Sequence, residues 1–221
     1  MFESVADQAT GLRRLFRPRR LRLLPVLADG PGAHSADFAL NLAVAMAREG
    51  LTPLVIDAHP QGVAAYCALN CGWELQDLID GECRIEQAIR RADAGVSVLG
   101  ARRALAGLAR DPHAAEAVFS ALASLRDAYD VAIVHAPGPL MGPWLSQHAG
   151  ESTLLCGTDD QSLTDAYARI KRMVCEFQVS RFRVVFDACE SPALAAERHR
   201  RLADAAGRFL EAALGLGGVR H

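Results

Sequence analysis

Lysine is almost missing from this chain. Of its 24 basic residues, 23 are arginine and only Lys171 is lysine. Any mechanism that needs a lysine at another position is therefore closed. No apolar run approaches the ~18 residues that a membrane span requires. No apolar segment with a small-residue cleavage site follows the N-terminal arginines, which excludes a signal peptide. Six cysteines are scattered without a C-x-x-C pair. Cys67 and Cys71 are four apart, Cys83 lies further on, and no histidine pair stands at zinc-finger spacing. Free thiols in a reduced, cytoplasmic setting are the expectation, rather than disulfides or a metal knuckle.

The chain has 221 residues, 51% of them hydrophobic and 23% charged, with a net charge of −2. That length suits one domain with a sizeable core. Charge is unevenly placed. Residues 1–22 hold six arginines against Glu3 and Asp7, a net of +4, which leaves the remainder at −6. Within residues 1–20, Ser4 and Asp7 have the spacing of a helix capping box, and Val5, Ala9, Leu12 and Phe16 recur on one helical face. Pro18 stops the pattern. A helix this short is marginal alone in water, so it needs a surface to dock on, either the body or a partner. The arginines at 13–22 lack interleaved aromatics beyond Phe16, so a tether or protein contact is expected and nucleic acid is not.

From residue 21 onward, short apolar runs alternate with longer periodic segments. The runs at 21–28, 52–58, 96–101, 131–136, 152–157 and 182–188 are too continuously apolar for a sheet with one wet face. Helical patterns fall near 36–49, 112–127, 161–177 and 192–213, with Gly50 ending the first and Pro112 and Pro192 opening others. Such alternation predicts an α/β fold, a mostly parallel sheet covered by helices, in one domain over 21–221 with an N-terminal helical extension over 1–20. Trp73 and Trp144 are expected to pack loops against the core.

Ligands of parallel α/β sheets bind outside the C-terminal ends of the strands. Three such ends carry distinctive residues: Asp29-Gly30-Pro31-Gly32-Ala33-His34-Ser35, Asp57-Ala58-His59, and His135-Ala136-Pro137-Gly138. His34, His59 and His135 beside Asp57 also form a zinc-like ligand set, with drift of a lost site as the plainer reading.

These loops resemble those of the MinD/ParA family of deviant-Walker P-loop ATPases, whose first loop reads KGGxGK[ST] and whose second strand ends in Asp-x-Asp. The resemblance implies that family's P-loop fold. It also implies that the chemistry has been stripped out. Asp29 or Gly30, and His34 or Ser35, stand where the loop's lysines would be; His59 replaces the water-activating aspartate; His135 replaces the magnesium-supporting one. Gly30, Gly32, His34, Ser35, Asp57, His59, His135 and Gly138 would then be a vestigial nucleotide site. A P-loop lysine neutralises phosphate charge while backbone N–H groups cradle the oxygens and acidic residues hold Mg²⁺. Pro31 removes one such N–H, so no catalytic residue and no bound cofactor are expected. The alternative is a divergent ATPase that still takes ATP and Mg²⁺, since a helix N-terminus attracts phosphate.

Two further stretches are similar to the FlhG/FleN-like branch of that family, the flagellar-number regulators. Residues 158–173 look like the branch's TPEPTSxTDAYAxIK stretch, and Asp7-Gln8-Ala9-Thr10-Gly11-Leu12-Arg13 matches its DQAxxLR activator motif. The resemblance implies a regulator of flagellar number whose N-terminal helix binds an FlhF-like, signal-recognition-type GTPase and stimulates GTP hydrolysis. Ala9, Leu12 and Phe16 would be the apolar anchor, Gln8 would approach the attacking water, and Asp7 and Arg13 complete the partner-binding set. Flagellar switch or transcriptional regulator proteins are further implied partners. Family members continue past the equivalent of Gly217 through another strand and helices to a membrane-targeting helix, so stable membrane binding is not expected here.

Overall fold

Strands too apolar for a wet face become the middle of a sheet. The computed structural model describes residues 21–28, 32–92, 95–146 and 150–220. Its strands are β1 (Arg22–Leu27), β2 (Pro53–Asp57), β3 (Ile89–Arg91), β4 (Ser97–Gly100), β5 (Val131–Ala136), β6 (Ser152–Cys156), β7 (Arg181–Phe186) and β8 (Ala213–Val219). They join in the order β3-β4-β2-β5-β1-β6-β7-β8. Every pair is parallel except β3 with β4. β2, β4, β5 and β6 are buried along their whole length, as their sequences require.

The helices are α1 (Gly32–Arg48), α2 (Val63–Tyr66), α3 (Leu75–Ile79), α4 (Ile85–Ala88), α5 (Arg102–Arg110), α6 (Ala115–Ser124), α7 (Gly138–Ser146), α8 (Asp160–Phe177) and α9 (Pro192–Leu210). Local chemistry sets their ends. Gly50 takes φ +78° just beyond α1, a conformation that suits glycine. The Asp159 carboxylate accepts from the Ser162 N–H at 2.8 Å to cap α8, and Ser191 accepts from Leu194 ahead of Pro192 at the start of α9. None of these helices is long and apolar enough to cross a membrane, among the described residues.

Strand alternation splits the core between two faces. Leu54, Leu99, Leu154 and Phe182 pack towards the helices that follow β4, β5, β6 and β7. Val26, Val55 and Ile133 pack on the other face against Ala36, Ala39 and Ala43 of α1, small residues that let the helix lie close to the sheet. The two tryptophans differ: Trp144 is buried within α7 and stacks near Phe119, whereas Trp73 is exposed.

Several elements depart from the sequence expectation. The helix expected to reach 213 stops at Leu210, where Glu211 turns left-handed at φ +54°, and Ala213–Val219 pairs with β7 as an edge strand. Three glycines make that segment a weak strand by propensity, and the ladder with β7 overrides it. The short α2 to α4 and β3 were also not expected; each has too few residues to show a period. α5 and α7 were not expected either, although Ala104, Leu105 and Leu108 mark a buried helical face on α5. Residues 1–20 lie outside the described residues.

Arg220 fastens the end of β8. Its guanidinium donates to both oxygens of Asp187 at 2.6 and 2.9 Å and to Asp37 on α1. Burial alone would raise the Asp187 carboxyl, but the Arg220 hydrogen bonds and charge outweigh it and hold it below the usual carboxylate range. A depressed pKa contributes stability above the ordinary carboxylate value of ~3.9, and that contribution fades as pH falls through the lowered value. Arg220→Gln is expected to cost about 1–2 kcal/mol at pH 7. The difference in melting temperature between the two proteins should shrink below about pH 4, as thermal melts across pH will read.

A candidate site at the strand ends

The register of two adjacent strands creates the site. Asp57 closes β2 directly opposite His135 of β5, and Val26 of β1 flanks His135 on the other side. Alternation turns Asp57 and His135 to the same face as Val55 and Ile133, beneath the first turn of α1. Ser35 projects from that turn. His135 Nδ1 lies 2.9 Å from Asp57 Oδ1, and His135 Nε2 lies 3.0 Å from Ser35 Oγ. Asp57 is 4% exposed, Ser35 7% and His135 0%.

The backbone finishes the cage around Asp57. His59 N–H donates to Oδ1 at 3.2 Å and Ala64 N–H to Oδ2 at 2.8 Å. The loop curls so closely that a Cβ on Gly62 would stand 2.1 Å from Asp57 Oδ1. Because a carboxylate only accepts, Nδ1 carries the proton towards Asp57; in a neutral ring, Nε2 is then left to accept from the Ser35 hydroxyl.

Ser–His–Asp in this order is the arrangement that activates a serine nucleophile. Here the imidazole is wholly enclosed, so neither solvent nor a leaving group reaches its nitrogens. What the three groups do is satisfy one another and tie α1 to β2 and β5. They also differ from the donor set Mg²⁺ requires. In P-loop enzymes the metal is held by the loop hydroxyl and a strand-end carboxylate, and Mg²⁺ demands octahedral oxygen ligation. In this chain the hydroxyl is bonded directly to an imidazole, and no step through the metal follows.

The other histidines do not join them. His34 is exposed and lies 3.5 Å from Asp187. His59 is half-buried; its Nδ1 accepts from Gln61 N–H at 3.0 Å, and its ring centre is 5.8 Å from that of His135. No group of three His, Cys, Asp or Glu able to hold a metal occurs among the described residues. Gly32 opens α1 and Gly138 opens α7, while Gly30 lies outside the described residues. So do Asp7, Gln8, Ala9, Leu12, Arg13 and Phe16.

Beside Ser35, a cleft of about 270 Å³ opens between the ends of β1, β6 and β7, lined by His34, Gly157, Ser162, Arg169 and Asp187. Cys156 also borders it, but burial pushes this thiol up to about 11, so it stays protonated at neutral pH. The sequence reading missed Gly62 and the Asp37–Arg220–Asp187 knot. Asp37 and Arg220 are 183 residues apart, and no local pattern marks such a pair. Gly62 could have been noticed as a glycine five residues beyond a strand-end aspartate.

Sheet order, strand-end site and loop placement define a MinD/ParA-type P-loop fold. Solved structures show the same architecture. A plasmid partition protein from Borrelia burgdorferi B31 bound to AMPPNP superposes with a TM-score of 0.61, at 11% identity, over 90% of this chain and 86% of that one. Cobyrinic acid a,c-diamide synthase from Mycobacterium smegmatis with ADP and magnesium gives 0.59 at 19% identity, covering 86% and 83%. MinD from Aquifex aeolicus gives 0.58 at 16% identity, covering 87% and 80%. Within this type the chain is FlhG/FleN-like. It is 26% identical to the antiactivator FleN of Pseudomonas aeruginosa over 204 residues, which are 90% of this chain and 73% of that protein. No protein-family model matches the chain.

Removing the central imidazole would leave a buried carboxylate and a hydroxyl without their shared partner. His135→Ala is therefore expected to destabilise the fold by about 2–4 kcal/mol, read by urea unfolding, with Ser35→Ala costing less. Maleimide labelling of the native protein at pH 7 should modify exposed Cys175 and spare Cys156, which is 2% exposed.

Proposed function

We propose that this chain is a regulator of flagellar number or placement, acting as a binding module that does not hydrolyse nucleotide. The observation that carries the first half is the likeness to FleN across 90% of the chain. The second half rests on His135, an imidazole bonded to the loop hydroxyl where a nucleotide-hydrolysing relative needs a carboxylate and metal. A fold of this kind keeps its shape when its catalytic groups are lost, because function lives in the site rather than in the scaffold.

On this reading the active element is the N-terminal segment, with Asp7, Gln8, Ala9, Leu12, Arg13 and Phe16 meeting an FlhF-like GTPase. Leu12 and Phe16 supply apolar anchorage, and Arg13 pairs with acid or phosphate. The body carries this segment and offers surfaces for other proteins. The relative's name, antiactivator, makes a transcriptional activator the first of these to test. Nucleic acid is not a partner on this reading, nor is a membrane a stable one.

GTP turnover by the cognate GTPase is the direct test. A peptide of residues 1–22 should raise it by about tenfold or more, a barrier change of about 1.4 kcal/mol. Gln8→Ala and Leu12→Ala peptides should lose the effect. No stimulation by the peptide or the full chain would overturn the GTPase reading. Turnover of ATP by the purified chain with Mg²⁺ would overturn the non-hydrolysing one and establish the divergent ATPase instead.

A further inference from the structure

A Mg²⁺ ion holds its oxygen ligands at ~2.1 Å, so two oxygens on one ion stand no more than ~4.2 Å apart. The Ser35 hydroxyl and the Asp57 carboxylate are too far separated to share one. Between them lie the five-membered ring of His135 and two hydrogen bonds, 2.9 Å to Asp57 Oδ1 and 3.0 Å to Ser35 Oγ. The ring is wholly buried there.

The carboxylate is also occupied. Its two oxygens offer about four lone-pair sites, and an N–H donor competes with a cation for each. Among the described residues, Oδ1 faces His135 Nδ1 and the His59 N–H, and Oδ2 faces the Ala64 N–H. Two of these donors are backbone groups, which the fold supplies whatever side chains stand at 59 and 64. The third is a side chain. His135 is thus the group that both spaces the oxygens apart and takes up one of them, and one substitution removes both effects.

We infer that His135 is the residue that excludes Mg²⁺ from this site, by taking over the joining of α1 to β2 and β5. The arrangement of those elements then depends on neither Mg²⁺ nor nucleotide, and the regulator is held in one state instead of being switched by ATP. This rests on the non-hydrolysing reading proposed above, and adds to it the residue responsible and the absence of a nucleotide switch. A carboxylate in place of the imidazole takes the ring away and puts oxygen donors from three elements around the space it leaves. Mg²⁺ completes such a set with water. Without an ion, two buried carboxylates on adjacent strands repel each other.

Thermal melts of the full purified chain test this, in EDTA and in about 10 mM Mg²⁺ at matched ionic strength, with no nucleotide or GTPase present. The wild type should melt at the same temperature in both. His135→Asp should melt below the wild type in EDTA and rise by about 5 °C or more in Mg²⁺, the shift expected of an ion at about a hundred times its Kd. His135→Asn, close to that variant in shape but uncharged, should be destabilised without responding to Mg²⁺. A folded His135→Asp protein that ignores Mg²⁺ would overturn the inference, and so would a Mg²⁺-dependent rise in the wild type. If His135→Asp is unfolded in EDTA, refolding from urea is read instead: recovery in Mg²⁺ but not in EDTA supports the inference, and failure in both overturns it. Hydrogen exchange in α1 of the wild type should be the same with and without ATP and Mg²⁺; slower exchange on adding them would reveal a switch and sink the one-state reading. No arm measures ATP turnover, so a His135→Asp protein indifferent to Mg²⁺ leaves the non-hydrolysing reading standing. Turnover by the wild type, assayed separately, would remove that reading by itself.

Discussion

A carboxylate taken out of water must be bonded on every side, and Asp57 meets that requirement with groups from four parts of the chain. His135 comes from the neighbouring strand, Ser35 joins through the imidazole from α1, the His59 N–H comes from the loop after β2, and the Ala64 N–H comes from α2. Leaving such a group unmatched costs several times what one exposed hydrogen bond contributes. The site therefore fixes where α1 begins and how the loop after β2 runs, even though its chemistry is closed to solvent. The same hydrogen bonds hold β2, β5 and α1 together.

The imidazole supplies a direct link between the two oxygen-bearing groups. Magnesium bridges a hydroxyl and a carboxylate across a gap. An imidazole at the strand end reaches across the same gap with its own two nitrogens, one to each neighbour. Asp57, His135 and Ser35 thus form one continuous set of hydrogen bonds. Arg220 plays a comparable part on the neighbouring side of α1, where one planar guanidinium satisfies Asp187 and Asp37 and so pins an otherwise weak glycine-containing edge strand. Both ties join elements distant in sequence at the C-terminal ends of strands, where a parallel α/β sheet gathers its loops.

Helix coverage is the complementary constraint. β1, β5 and β2 have helices on both faces, while among the described residues β7 and β8 have them on one. The same asymmetry leaves a groove beside α1, with Phe38, Leu42 and Met46 on one side and Arg183, Val185 and Arg220 on the other.

Much of this protein was readable from composition and spacing. Long apolar runs announced buried parallel strands, and Gly50 and Pro192 announced helix ends. These are local properties: burial on both faces and a fixed φ. Three things were settled only when the chain closed on itself. Ala213–Val219 became a strand because β7 offered it a ladder, against its own propensity. His135 became a fully enclosed bridge, where drift towards a partly exposed histidine was the plainer expectation, because strand register set it against Asp57 and under Ser35. Arg220 found Asp37 across 183 residues. Sequence determines which groups are present and what each local segment prefers; partners between remote segments are decided by sheet order and register, which exist only in the folded chain.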